Sequence, residues 1–359
     1  MIFKKGTTRG RELFQYQDQN ISCVNTYNYL GVTLQSNGKF HETRKCLAEK
    51  ASRAMYTLLK TMPRETDCRT FLHLFEICIK PILLYGSPTW GHDIIDNNRW
   101  DNTPTEQLHL KFCKRILGVN KFSSNAACRA ELGEFPLLTD IQENLIKYWY
   151  RISDLPDNNI TKQAFQEQKE LNLHWFSTVK NIVTKNTASL SSATPQKLPP
   201  SKIKHIRNNI RQRYIDLWMS NVANNKKLRT YIKFKNSYTF EPYLFQRILK
   251  HKIIMTRFRI SSHVLEIEKG RHTQPKTPLE DRICKHCCQN KIENEEHFFM
   301  ECPSYQTERQ KFFNSINIPE VLKSDDQIFK YIMSSREDTI ISQVGEYLYT
   351  LFEIRNRND

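Results

Sequence analysis

The hydrophobic and polar positions of this chain alternate mostly with the period of an α-helix. Apolar residues recur about every 3.6 positions over 39–62, 137–153 and 338–356, so each of these segments presents one apolar face. The apolar stretch 71–86 is interrupted by charged and polar side chains. It is also shorter than the roughly 18 apolar residues of a membrane span, so it predicts a buried helix. The chain is therefore predicted to be mainly α-helical.

Two segments depart from this helical pattern. Residues 14–38 contain short runs of Tyr, Ile, Val and Thr between Asn and Gly turn signals, which predicts a short N-terminal β-hairpin. Residues 186–201 are polar, rich in Ser and Pro, and show no periodicity. We interpret this second segment as a linker between domains.

The N-terminal sequence and the distribution of the cysteines indicate in which cellular compartment the protein is expected. The first residues, MIFKKGTTRG, lack the apolar core of a secretory signal. Six of the 10 cysteines are scattered through helix-like and strand-like segments, as is typical of buried thiols in a reducing environment. We therefore expect an intracellular protein of the nucleus or cytoplasm that is neither secreted nor bound to a membrane.

The formal net charge is +16, and most of it lies in one segment. Residues 200–275 contain 17 Lys and Arg against 4 Asp and Glu, a net charge of +13. A single basic residue is typical of a solvated helix face, but a concentration of this size favours contact with phosphate groups and hence RNA or DNA as the partner. The residues predicted to contact nucleic acid are Lys204, Arg207, Arg211, Arg247, Lys250, Lys252, Arg257 and Arg259.

The other four cysteines lie with histidines in CKHCCQNKIENEEHFFMEC, residues 284–302. Cys284, Cys287, His297 and Cys302 give the spacing C-x2-C-x9-H-x4-C, and a two-residue gap allows two thiolates to bind one Zn²⁺. Cys288 is an alternative to Cys287. Soft sulfur and nitrogen ligands without a carboxylate favour a closed, structural site for one zinc ion.

The spacing of the last two candidate ligands requires a particular backbone conformation between them. His297 and Cys302 are five positions apart, about 140° around an ideal helix. They can share a metal ion only if the helix ends between them, and Pro303 favours an end at that point.

Two stretches also resemble a known family. YNYLGVTLQSNGKFHETRKCLAEKASRAMYTLLK, followed by IKPILLYGSPTWG, resembles the end of the palm and the thumb of non-LTR (LINE-type) retrotransposon reverse transcriptases. CKHCCQNKIENEEHFFMECPSYQTER is similar to the C-x-x-C…H-x4-C-P-x-Y element that closes those polyproteins. The resemblance covers essentially the whole chain and is weakest around the linker.

The resemblance implies a function for each part. Tyr29, Leu30 and Gly31 would form a primer-grip-like hairpin, and the helices after it would contact the template–primer duplex as a thumb. The parent polyprotein would supply the palm and fingers as partners. The implied division is the end of the palm (1–38), a thumb-like helical region (39–185), the linker (186–201), a basic helical connector (202–275), a zinc knuckle (276–317) and a C-terminal helical tail (318–359).

The chain departs from the family at the catalytic motif. The family holds its two metal ions with an aromatic-x-Asp-Asp turn, and this sequence has no such turn. Its one Asp-Asp pair, Asp325-Asp326, follows Lys323-Ser324 and is typical of a helix start. We therefore expect a C-terminal fragment that binds template RNA or an RNA–DNA hybrid and does not polymerise by itself. The alternatives are a stand-alone zinc-containing nucleic-acid-binding protein derived from such an element, or a transposon relic without function.

Overall fold

The computed structural model describes residue 1 and residues 14–63, 65–95, 100–187 and 200–357. In this part of the chain it contains sixteen α-helices and two small antiparallel sheets, so the prediction of a mainly α-helical protein is confirmed. No helix among the described residues combines the length and the apolar character that crossing a membrane requires.

Four short strands near the N-terminus precede a long succession of helices. The strands are β1 Phe14–Tyr16, β2 Gln19–Ile21, β3 Thr26–Tyr29 and β4 Val32–Gln35. The α-helices are α1 His41–Thr61, α2 Cys68–Leu74, α3 Lys80–Leu83, α4 Ser87–Trp90, α5 His92–Ile95, α6 Pro104–Leu117, α7 Asn125–Leu132, α8 Leu137–Ser153, α9 Ile160–Glu170, α10 His174–Thr187, α11 Pro200–Ala223, α12 Leu249–Arg259, α13 Glu266–Lys269, α14 Gln306–Ser315, α15 Asp325–Ser334 and α16 Asp338–Arg357. Two π-helical turns span Phe75–Ile79 and His297–Glu301, and short 3₁₀ turns span Trp100–Asn102, Lys226–Leu228, Tyr231–Lys233, Pro242–Phe245 and Pro303–Tyr305.

The chain forms two compact units, each assembled from three stretches. The first unit comprises residues 1–62, 73–109 and 135–214, and the second comprises 63–72, 110–134 and 215–359. The predicted linker, 186–201, does not coincide with this division, because the residues on both sides of it belong to the first unit. Residues 188–199 of that linker lie outside the described residues.

The N-terminal part of the first unit contains two hairpins instead of the single one predicted. Strands β1 and β2 pair from Phe14 with Ile21 to Tyr16 with Gln19, and β3 and β4 pair from Thr26 with Gln35 to Tyr29 with Val32. The second hairpin turns through Leu30 at φ 47° and Gly31 at φ 82°. Two successive residues at positive φ give the tight turn whose twist matches that of the strands.

An aromatic cluster between α8, α9 and α10 forms part of the core of the first unit. The Trp149 ring from α8 lies 4.9 Å from the rings of Phe165 and Phe176. Phe165 and Phe176 are buried, and Trp175 packs against them. These rings pack against one another because α8 carries its apolar side chains on one face, as its 3.6-residue period predicts.

A second aromatic core lies in the second unit and supports the cysteine-rich segment. Phe298 lies 4.7 Å from Phe352 of α16, and Phe299 lies 5.0 Å from Tyr347 of the same helix. The Tyr347 hydroxyl donates a 2.8 Å hydrogen bond to the Phe299 carbonyl. Both phenylalanines are fully buried, so the turn that follows His297 is fixed by the core of the unit.

Candidate metal centre and basic surfaces

The four predicted metal ligands come together in the second unit. One ligand atom from each of Cys284, Cys287, His297 and Cys302 lies within 4.8 Å of all the others. The Sγ atoms of Cys284 and Cys302 are 3.9 Å apart, and Cys287 Sγ is 3.4 Å from His297 Nε2. Cys287 is partly exposed, whereas the other three are buried. This cluster can hold one metal ion.

The first two ligands lie at the start of a small hairpin. Ile283 and Ile292 form an antiparallel bridge, and the Cys284 amide donates a 2.8 Å hydrogen bond to the Lys291 carbonyl. These contacts close the loop from 284 to 291 on itself. Cys284 and Cys287 therefore face the same point from one short turn.

The other two ligands are joined by a π-helical turn. The Cys302 amide donates a 2.8 Å hydrogen bond to the His297 carbonyl, five residues earlier, instead of to the carbonyl four residues earlier. Cys302 itself leaves the helical conformation, with φ −55° and ψ 122°, and Pro303 follows it. The widened turn and the break at its end bring together two side chains that an ideal helix would separate. π-turns of this kind are frequent at functional sites.

Two of the distances between ligand atoms are close to those of a tetrahedral zinc site. With Zn–S near 2.3 Å and Zn–N near 2.0–2.1 Å, a tetrahedron places two sulfurs about 3.8 Å apart and a sulfur and a nitrogen about 3.6 Å apart. The separations of 3.9 Å and 3.4 Å are close to these values. Cys288 is exposed and does not belong to the cluster. The geometry therefore places Cys287, and not Cys288, in the candidate ligand set.

Contacts around the candidate ligands orient the histidine and change the pKa of one thiol. Glu301 Oε2 lies 3.5 Å from His297 Nδ1 and 2.8 Å from the Lys291 amine, and ligating histidines commonly donate their second N–H to a carboxylate. The hydrogen bond with Cys302, together with burial, raises the pKa of Cys284 to about 12. Because a cysteine binds a metal ion as its thiolate, metal binding at this cluster has to release protons from the cysteine thiols.

Two buried glutamates, which the sequence pattern did not single out, connect this segment to the rest of the unit. Glu293 accepts two 2.9 Å hydrogen bonds from Arg355 and a 2.7 Å bond from the Glu266 amide. Glu295 accepts hydrogen bonds from Arg229, Thr230, Ser261 and His263. Burial by itself would raise the pKa of Glu295, but these donors, His263 above all, lower it to about 2. No local signal marks these pairs, because the partners lie 27 to 66 residues away.

The basic residues of α11 line a groove in the first unit. Lys204, Arg207 and Arg211 border a depression of about 410 Å³, together with Lys147 of α8. Buried Glu143 accepts two 2.7 Å hydrogen bonds from Arg207 and lies 2.6 Å from the Lys147 amine. The cluster therefore combines four cations with one carboxylate, and the sequence pattern did not point to Lys147.

The basic residues of the predicted connector in the second unit lie in two different environments. Arg247, Lys250 and Arg257 are exposed, and the Lys250 amine lies 3.9 Å from the centre of the Tyr349 ring. Arg259 and Lys252 are only 2% and 6% exposed. The prediction that these two residues contact nucleic acid is corrected, because both side chains lie in the core of the unit.

Buried acidic partners explain why Arg259 is internal. Its guanidinium donates a 2.7 Å hydrogen bond to Glu131 and lies 3.0 Å from Glu241. Tyr243 also donates a 2.6 Å hydrogen bond to Glu131. Burial disfavours the charged guanidinium, but Glu131 and Glu241 raise the pKa of Arg259, so the side chain stays charged.

The residues of the primer-grip-like hairpin and the Asp-Asp pair lie in the hairpin turn and the helix start that their local sequences indicate. Tyr29 and Leu30 are 59% and 74% exposed at the tip of the second hairpin, beside Gly31. The Tyr85 hydroxyl donates a 2.8 Å hydrogen bond to the Leu30 carbonyl. Asp325 and Asp326 form the first turn of α15, with Ser324 as its N-cap, and this is a structural role for the Asp-Asp pair.

No protein-family model, curated protein or solved structure matches this chain. Its proposed function therefore rests on the metal centre, the groove and the charge of the described residues.

Proposed function

We propose that this chain binds RNA or an RNA–DNA hybrid as the C-terminal part of a non-LTR retrotransposon reverse transcriptase, with one structural zinc ion in its second unit. The observation that carries the binding proposal is the groove lined by Lys147, Lys204, Arg207 and Arg211. Four cations around one depression exceed what the single carboxylate of Glu143 can neutralise. A nucleic-acid backbone offers regularly spaced phosphates that such a surface attracts.

Zinc would have a structural role in this protein. The candidate ligands are three thiols and one imidazole, which complete a tetrahedron and leave no position for a reacting water molecule. Zinc binding in small peptides contributes about 10–16 kcal/mol, which is as large as the total stability of many domains. We therefore propose that the segment 284–302 is organised by zinc and supports the unit around it.

Polymerase activity is not proposed for this chain alone. Catalysis of nucleotide transfer needs carboxylates that hold two metal ions. The Asp325-Asp326 pair lies at a helix start, where Asp326 forms ion pairs with Lys233 and Lys330. The chain would therefore act through binding, together with the palm and fingers of a parent polyprotein.

Zinc content is the first test. Purified protein should contain about one zinc ion per chain by mass spectrometry, and Cys302→Ser should lose it because a hydroxyl is a poor replacement for a thiolate. Cys288→Ser is the matched control, since Cys288 lies outside the cluster and its variant should keep the ion. A full complement of zinc in Cys302→Ser would exclude the site.

Nucleic-acid binding is measured by fluorescence anisotropy with a labelled RNA hairpin and a duplex DNA of equal length. We expect binding whose logarithm falls linearly with the logarithm of salt concentration, because phosphate contacts release counterions. Absence of binding to both ligands up to about 100 μM, the weak end of the non-specific affinity range at physiological salt, would exclude the proposed function.

A further inference from the structure

A cavity of about 650 Å³ lies in the second unit, apart from the four metal ligands. Its lining comes from the loop that contains Asn120 and Phe122, from the loop 261–264, and from an edge that carries Lys227, Lys269 and His272 beside the carboxylate of Glu268. A cavity of this size is within the range of small-molecule sites. Its lining combines an aromatic ring, hydrogen-bonding groups and cations.

Lys227 provides an amine that is not neutralised by the residues around it. Its side chain is partly buried, and no described residue forms a hydrogen bond or ion pair with the amine. Burial lowers the pKa of Lys227, and the charge of Glu268 offsets this only in part. The Glu268 carboxylate is itself engaged by Arg229 and Arg271, each 3.1 Å away. An anionic group entering the cavity would therefore find an available cation.

Phe122 provides an aromatic face at the rim. The residue is 71% exposed, and the Lys121 amine lies 4.9 Å from the centre of its ring. A planar ligand would therefore stack on the face of the ring that Lys121 leaves exposed. The loop that carries it is fixed, because the Asn120 side chain accepts a 2.9 Å hydrogen bond from the Phe122 amide and donates one of 3.2 Å to Ser262. The Ser123 and Ser262 hydroxyls are a further 2.7 Å apart. The ring is thus held beside the cavity.

The floor of the cavity is tied to the metal centre. Ser261 and His263 both bind one oxygen of Glu295, at 2.7 Å and 3.0 Å. Glu295 lies two residues before His297, the candidate metal ligand. Loss of the metal should therefore disturb the positions of Ser261 and His263.

We infer that this cavity takes one unpaired nucleotide of a bound strand. The base stacks on Phe122 and meets the polar groups of Asn120 and Ser262, and the adjoining phosphate contacts Lys227. This inference rests on the proposed function, and it names the part of the nucleic acid that the second unit would recognise. Aromatic stacking suits this role because every base has a π-face, so the site would be tolerant of sequence.

The test compares a labelled single-stranded RNA of ten nucleotides with a blunt-ended RNA duplex of ten base pairs, both with the zinc-loaded chain. Stacking of one base is worth roughly 5- to 150-fold in affinity. We expect Phe122→Leu, which keeps an apolar side chain and removes the ring, to weaken single-strand binding by about tenfold and duplex binding by less than about twofold. Phe122→Tyr should bind like the parent protein.

The matched control for the phosphate contact is the neighbouring lysine. Lys227→Gln and Lys226→Gln remove the same charge one residue apart, but Lys226 is exposed and does not line the cavity. We expect only Lys227→Gln to weaken single-strand binding by more than about threefold, a change on the scale of one phosphate contact.

The outcomes separate the two proposals. If the parent protein binds single-stranded RNA and neither Phe122→Leu nor Lys227→Gln differs from Lys226→Gln, the cavity inference is overturned while the proposed function stands. If the parent protein binds neither RNA, the proposed function fails. A free mononucleotide that displaces the strand at a comparable concentration would identify a mononucleotide site and overturn the assignment to a strand.

Discussion

Helices α11 and α12 carry similar amounts of positive charge and use it in opposite ways. In α11, Lys204, Arg207 and Arg211 border a groove that opens to solvent. In α12, Arg259 and Lys252 are buried, and Arg259 lies within hydrogen-bond distance of Glu131. One helix exposes its charge at a groove, whereas the other buries two of its four basic side chains within its own unit.

The difference is set by acidic partners from elsewhere in the chain. Burying a charge costs several kcal/mol unless a counter-charge and hydrogen bonds compensate. Arg259 has such compensation from Glu131, Glu241 and the Met333 carbonyl. In the groove, Glu143 alone serves two cations, Lys147 and Arg207. The ratio of cations to buried carboxylates therefore distinguishes the groove, which is the proposed binding surface, from a structural network.

The largest effect is expected from Arg259→Met. The substitution keeps an unbranched side chain but leaves Glu131, which is completely buried, without its guanidinium. Breaking a buried pair by removing one partner costs about 3–5 kcal/mol. Urea titration followed by hydrogen exchange of α12 measures the loss of stability in the second unit. RNA binding by the groove should be unchanged under conditions in which the protein stays folded.

The control for this variant is Arg247→Met, which removes the same charge from an exposed side chain. Surface substitutions usually change stability by less than about 0.5 kcal/mol. Adding Glu131→Gln to Arg259→Met should recover part of the loss, since it removes the unpaired charge. A similar stability for Arg259→Met and Arg247→Met would contradict the contrast between the two helices.

An intermediate effect is expected from Lys204→Glu with Arg211→Glu. These residues are chosen because Arg207 is held by Glu143, so its replacement would also disturb the first unit. Losing two phosphate contacts should reduce the salt slope of RNA binding by about 1.4 for a single strand. Anisotropy across a salt series measures this change.

The control pair for the groove is Lys169→Glu with Lys180→Glu. Both lysines are exposed in the first unit, and they do not line the groove. The two double variants change net charge equally, so equal losses of affinity would indicate a general electrostatic effect and no special role for the groove. A larger loss in the groove variant would locate the phosphate contacts there.

Local sequence was sufficient for many helices and for the identity of the candidate metal ligands. Helix α8 spans 137–153 as predicted, because its apolar period is regular and Pro136 precedes its first residue. The ligand set was predictable because its spacing is short and zinc tolerates few ligand types. The exception was the choice between Cys287 and Cys288, which depends on the three-dimensional path of the turn.

Long-range pairs could not be predicted, and the irregular backbone between His297 and Cys302 could be predicted only as the end of a helix. Arg259 looks like any other surface arginine of a basic segment, since its partner Glu131 is 128 residues away. The π-helical form of the turn over His297–Glu301 has no signal in the sequence, because HFFME is compatible with an ordinary helix. It forms because Phe298 and Phe299 are both buried in the aromatic core while His297 and Cys302 face the metal centre. The division into two units also depends on contacts between distant stretches.

The smallest effect is expected from Glu143→Gln. Burial by itself would raise the pKa of Glu143, but hydrogen bonds from Arg207 and Lys147 outweigh burial and lower it, so the side chain is charged at neutral pH. The glutamine would still accept hydrogen bonds, so stability should fall by only about 1 kcal/mol, the scale of a partly exposed pair. The groove would gain one net positive charge. RNA affinity should therefore rise by about threefold and the salt slope should steepen by about 0.7. If affinity falls instead, Glu143 is needed to hold Arg207 in place, and the groove would resemble the Arg259 network more closely than its exposure indicates.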